Sequence, residues 1–186
     1  MVQVDVPFAF GVGSLFAAAV QPAVSTGRLW CMRQRALAAN LVFQVVFAIW
    51  LPVYLLVAHF GFQTSHMWWH GDSLLDYPWL LPGFVVLYFG ANLAGFAVGA
   101  WLTTTGRASI ARAIFWVSLV FFGGWMAVQP ARTLTIGTYQ QWAAGQAPWL
   151  WSDVGLAWLL GISFFVIFGV LYLMYRRVLR DAATVA

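Results

Sequence analysis

From residue 36 to residue 58, and again from residue 77 to residue 106, the chain carries no ionised side chain. At 1.5 Å per helical residue such runs are long enough to cross a hydrocarbon core of roughly 30 Å, for which about 20 residues suffice. Five apolar stretches are expected to do so, at residues 7–24, 36–60, 79–103, 108–129 and 150–175. A backbone in hydrocarbon has to satisfy its own hydrogen bonds, which makes these stretches helices. The predicted fold is therefore an all-α integral membrane protein: one transmembrane domain over residues 1–186, built as a bundle of about five helices. The composition agrees, since 63% of residues are apolar and only 8% are charged, against roughly 25% charged in an ordinary soluble domain.

The few charges are distributed unevenly. Arg28, Arg33 and Arg35 follow the first stretch, Arg107 and Arg112 flank the third connection, and Arg176, Arg177 and Arg180 follow the fifth. Eight of the nine arginines thus fall on one side, with Arg132, Asp5, Asp72, Asp76 and Asp153 on the other. By the positive-inside rule the arginine side is cytoplasmic, the N-terminus is outside and the C-terminus is cytoplasmic. We expect a multi-pass protein of a bacterial inner (plasma) membrane. The net charge of +4 is read as orientation and headgroup contact, not as nucleic-acid binding. The single Cys31 can form neither an intrachain disulfide nor a CxxC pair, and it is placed on the cytoplasmic side.

The first stretch has the wrong charge order for a secretory signal, because Asp5 precedes the apolar run and the arginines follow it. It is expected to be a retained helix that packs inside the bundle or against a partner. The two outer connections, 61–78 and 130–149, each lead into a helix through Pro-Trp-Leu, at Pro78-Trp79-Leu80 and Pro148-Trp149-Leu150. Proline suits a first helical turn and tryptophan suits the headgroup level, so Trp79, Trp149 and the nearby Trp151 are expected interface anchors. The shared tripeptide hints at two similar hairpins, but three residues do not establish a repeat. In the third stretch Ala91, Gly95 and Gly99 recur every four residues, which lets helix backbones approach closely and marks a packing face.

Soluble-enzyme motifs are absent or incomplete. "GDSLL" at 71–75 resembles the opening signature of the GDSL hydrolases, whose serine needs a later histidine base; here no histidine follows His70. "GVGSLF" at 11–16 lacks both the preceding strand and the third glycine of a dinucleotide fingerprint. A P-loop is excluded because the chain has no lysine.

The stretch "HMWWHGD" at 66–72 admits two readings. On one turn of helix His66 and His70 share a face, and with Asp72 they form a nitrogen and oxygen set for a metal ion. Trp68 and Trp69 instead suit an interfacial aromatic belt in which histidine is equally at home. His59, at the outer end of the second stretch, lies at the depth of a haem or pigment ligand, although no facing helix offers a second histidine. No cofactor is assigned; a metal ion, pigment or haem contact at the outer face is the one considered.

No Asp, Arg or His lies near the middle of any stretch, whereas proton relays and ion-coupled carriers usually keep such a group there. The polar residues Gln21, Asn40, Gln44 and Asn92 are expected to cross-bond helices, with Asn40 and Gln44 on one face of the second. The function these features suit best is that of a non-catalytic membrane subunit of a larger complex, an energy-transducing or electron-transfer assembly being the class in view. Its partners are then the lipid bilayer and other membrane subunits. Two alternatives stand beside it: a small transporter or channel for an uncharged or lipid-like solute, and an outer-face metal-dependent oxidoreductase.

Paired substitutions separate the two readings of the 66–72 stretch. An interfacial anchor predicts that Trp68→Ala with Trp69→Ala lowers stability more than His66→Ala with His70→Ala does, because each indole buries far more area than an imidazole. Stoichiometric zinc, copper or iron in the purified chain, lost in the double histidine variant, would establish the metal reading instead.

Overall fold

The structure is a computed structural model describing residues 2–20, 26–61, 80–133 and 150–184. Among these residues it is all-helical, with five helices: α1 (Val2–Ala18), α2 (Thr26–Gly61), α3 (Leu80–Thr104), α4 (Ala108–Thr133) and α5 (Leu150–Ala183). Four differ in extent from the apolar stretches by more than one residue, α4 by running on from residue 129 to Thr133. α2 begins ten residues earlier than residue 36, and α5 runs on past residue 175 to Ala183. Hydropathy marks where a segment stops favouring hydrocarbon, but arginine, glutamine and alanine are good helix formers, so backbone hydrogen bonding continues beyond that point. α1 moves the other way, starting at Val2 and ending at Ala18, where residues 19 and 20 form a turn.

α1 occupies the centre. From Gly11 to Val20 every residue is buried, with Phe8, Ala9, Val12 and Phe16 wholly inaccessible. It packs most extensively on α3 and α4, while α2 packs mainly on α5. α2 meets α3 only slightly, and α4 and α5 share a modest contact. Among the described residues α1 thus has neighbours on several sides: α3 and α4 closely, α2 less so, and α5 through aromatic side chains.

Side-chain pairing fixes the directions. Gly95 lies against Phe10 and Gly99 against Ser14, while Thr103 reaches Ala17, so α1 and α3 run parallel. Phe8 stacks on Phe122 and Ser14 bonds Ala111, so α4 is antiparallel to α1. Phe8 and Phe16 meet Phe168 and Tyr175, which makes α5 parallel to α1, and Trp50–Ser163 with Arg35–Asp181 makes α2 antiparallel to α5. The order is up, down, up, down, up. Arg33, Arg35, Arg107, Arg112, Arg176, Arg177 and Arg180 consequently share one end of the bundle.

At that end α3 turns into α4 within three residues. Gly106 adopts φ 76°, the left-handed conformation that closes a helix at little cost only for glycine. The Gly106 amide then donates to the Thr103 carbonyl at 3.2 Å and that of Arg107 to the Leu102 carbonyl at 2.7 Å, satisfying carbonyls that the helix end would leave unpaired.

The α1–α3 contact is close enough to be made by backbone. A β-carbon on Gly95 would collide with the Phe10 carbonyl, and one on Gly13 with the Asn92 carbonyl; Gly99 sits in the same seam, where an added β-carbon would lie 2.8 Å from Ser14 Cα. Ala91 packs partly buried against the core. Around the seam lies an aromatic cluster in which Phe47 stacks on Tyr88 at 5.2 Å and Phe8 on Phe122 at 4.4 Å. Within α3, Val85–Thr104 is long and apolar enough to cross a membrane.

Gly95→Leu is expected to drive α1 and α3 apart and to lower the unfolding free energy by about 3 kcal/mol or more, the upper part of the overpacking range. Leu93→Ala, on the outward face of the same helix, should cost under ~1 kcal/mol. Detergent thermal unfolding of both variants measures the difference, and equal midpoints would mean that the seam tolerates separation.

Candidate functional site

The polar groups of the interior gather about halfway along the bundle. Asn92 is the central residue of α3, twelve positions from each end. Its amide and that of Asn40 on α2 pair reciprocally: Asn40 Nδ2 donates to Asn92 Oδ1 at 2.7 Å and Asn92 Nδ2 to Asn40 Oδ1 at 3.1 Å. Asn92 Nδ2 also donates to the Ala9 carbonyl of α1 at 3.0 Å. One side chain thus joins three helices, and both asparagines are fully buried. Satisfied amides of this kind fix helix register, because sliding any helix by one turn would leave them unpaired.

Gln44, one turn along α2 from Asn40, is also fully buried, but among the described residues neither its Nε2 nor its Oε1 has a hydrogen-bond partner. A buried primary amide without partners is costly, by about 1–3 kcal/mol for each unmet group. Asn40 and Gln44 therefore share a helix face but not a role: the first ties helices together, whereas the second presents an unspent donor and acceptor in the core.

Other polar contacts lie away from this node. Ser14 Oγ donates to the Ala111 carbonyl at 2.9 Å and Thr103 Oγ1 to the Gly99 carbonyl at 2.7 Å. Trp50 Nε1 donates to Ser163 Oγ at 2.9 Å. At the arginine end the Arg112 guanidinium lies beside the Tyr175 hydroxyl. Each joins neighbouring helices or turns and, Gly99 and Arg112 apart, uses residues to which sequence reading had assigned no role. The cue for Ser14 is a hydroxyl set among glycines and alanines, where a neighbouring backbone comes within reach.

His66, His70, Asp72, Trp68, Trp69, Trp79 and Trp149 lie outside the described residues. His59 lies in the last turn of α2 and Trp151 in the first turn of α5. The structure brings Gly95 and Gly99 together with Asn92 on the α1-facing side of α3. Among the described residues, no three of His, Cys, Asp and Glu converge.

The two amides should respond oppositely to an apolar replacement of similar size. Asn92→Leu strands the Asn40 amide and is expected to cost about 1–3 kcal/mol, whereas Asn40→Leu with Asn92→Leu together should cost clearly less than the sum of the single changes. Gln44→Leu is expected to stabilise by about 1–3 kcal/mol, since it removes an amide without partners. Unfolding in detergent reads all four variants; destabilisation by Gln44→Leu would show that its amide is bonded in the working protein.

Comparison with protein-family models, with curated proteins and with solved structures finds no match to this chain.

Proposed function

We propose that the chain is a multi-pass, non-catalytic subunit of a larger complex in a bacterial inner membrane, with its arginine end in the cytoplasm. One observation carries the reading: the four outer helices all turn large apolar side chains outward. Ile49 on α2 is 63% exposed, Val86 on α3 72%, Phe121 on α4 69% and Phe165 on α5 74%. A water-soluble monomer rarely shows contiguous apolar patches beyond a few hundred Å², while a bundle with an apolar girdle on every side is suited to lipid and to neighbouring membrane helices. Val85–Thr104, the one stretch among the described residues long and apolar enough to cross a membrane, and the arginine asymmetry support the same reading.

The outward face of α3 supports membership of an assembly. Gly83 and Gly90 face open space, and Ala94 and Ala97 continue that face, both exposed. Small outward residues allow another helix to approach closely. A second reading, a small transporter or channel for an uncharged or lipid-like solute, draws on Gln44, whose unpartnered amide lies in the middle of the bundle. Such a carrier needs a polar group that its cargo can meet.

Two measurements test these readings. A cysteine introduced at position 72 should react with a membrane-impermeant reagent from outside and one at position 107 only from the cytoplasm; the reverse pattern overturns the orientation. Gentle detergent extraction followed by mass spectrometry should then recover the chain with other membrane polypeptides in fixed ratio, whose absorption reports whether the assembly transfers electrons. Recovery of the chain alone, with solute flux in liposomes that Gln44→Leu abolishes, would establish the carrier instead.

A further inference from the structure

We propose that the arginine end of the bundle, flanked by Trp30 and Trp101, is a collar that binds the anionic phospholipid headgroups of one leaflet. The inference rests on the membrane reading above and adds a lipid class and a depth to it. Trp30 is 64% exposed and Trp101 59%, and they stand on α2 and α3, so the indoles face outward from two helices.

Their depth follows from the register. Trp30 precedes Asn40 by ten residues and Trp101 follows Asn92 by nine, so both lie about 15 Å along the axis from the asparagine pair. That distance is half of a hydrocarbon core of roughly 30 Å. Side chains lean toward the N-terminus of their helix, and for α2 that is the arginine end, so Trp30 leans toward it. An indole with an apolar body and a single N–H donor suits the headgroup boundary, where one side is dry and the other wet.

The charge at this level has one sign. Arg107, Arg176, Arg177 and Arg180 are exposed there. Asp181, the one carboxylate among the described residues of this end, is 3.9 Å from Arg35, with both side chains open to solvent. Among the described residues the other guanidiniums of this end have no carboxylate within ion-pair distance. Planar guanidinium forks fit phosphate oxygens in pairs, and arginine's long stem lets it reach up to headgroup level from a backbone one turn deeper. The surface thus combines outward indoles and unneutralised guanidiniums in one narrow band, which matches a phosphate-bearing, net-negative lipid better than a zwitterionic one.

The full chain, reconstituted in vesicles of equal phosphatidylglycerol and phosphatidylcholine and released in mild detergent, is examined by native mass spectrometry. The wild type is expected to retain phosphatidylglycerol at least several-fold over phosphatidylcholine. Arg176→Gln with Arg177→Gln and Arg180→Gln should bring the ratio close to one. The corresponding triple lysine variant should keep most of the preference, and the unfolding midpoint of each variant in lipid-free detergent serves as the folding control. Equal retention of both lipids by the wild type, or an unchanged preference in the folded glutamine variant, overturns the collar. If the chain reconstitutes but shows no preference, the collar alone fails; if it stays out of vesicles altogether, the membrane reading fails with it.

Discussion

The close approach of α1 and α3 is the constraint on which the other contacts depend. Glycines at 13 and 95 let each backbone lie where the other's β-carbons would be, and only at that separation does the Asn92 amide reach the Ala9 carbonyl. The same approach brings Phe8 into the Phe47 and Phe122 cluster and leaves α1 room for four neighbours. Dispersion contacts of this kind fall off steeply with distance. In an apolar solvent, where the hydrophobic effect contributes little between helices, they are what holds helices together.

The asparagine pair works at a different level. Apolar packing is tolerant of rotation and of sliding by a turn, whereas Asn40 and Asn92 bond each other in one register only. Van der Waals contact thus supplies most of the cohesion and the amides specify which of several similar arrangements forms. Gln44 stands outside this division, since its burial costs free energy that no bond among the described residues returns. Unsatisfied groups of this kind concentrate where a protein does something other than hold itself together.

Much of the helical layout could be read from residue patterns, and the reasons are local. A helix is announced by its own composition, so the absence of charge over 77–106 suffices to place α3. Helix ends were less legible: the arginines that bound an apolar stretch do not end a helix, and α2 continues through Arg28, Arg33 and Arg35. Partnership between helices was the least legible. The four-residue recurrence of Ala91, Gly95 and Gly99 is a property of α3 alone, but the surface it meets, the Phe10 and Ser14 backbone, lies some eighty residues away. Likewise the shared face of Asn40 and Gln44 is visible in their spacing, while the fact that only one of them finds a partner depends on where α3 comes to rest. The histidine and tryptophan stretch at 66–72 draws its meaning from tertiary surroundings that no spacing encodes.

The central position of α1 bears on how the molecule comes to be made. α1 leaves the ribosome ahead of every helix that covers it, and α3, its principal neighbour, follows only after α2 and the connection beyond it have been synthesised. In the interval α1 has an incomplete set of packing partners, and its glycine-lined face has no close surface to meet. A helix whose partners are made after it stays partly uncovered during synthesis, and exposed apolar surface in incompletely folded chains is what chaperones protect. The nascent bundle is therefore most vulnerable between the emergence of α1 and the arrival of α3, and lesions in the seam would be felt as slow assembly and degradation before they were felt as loss of activity.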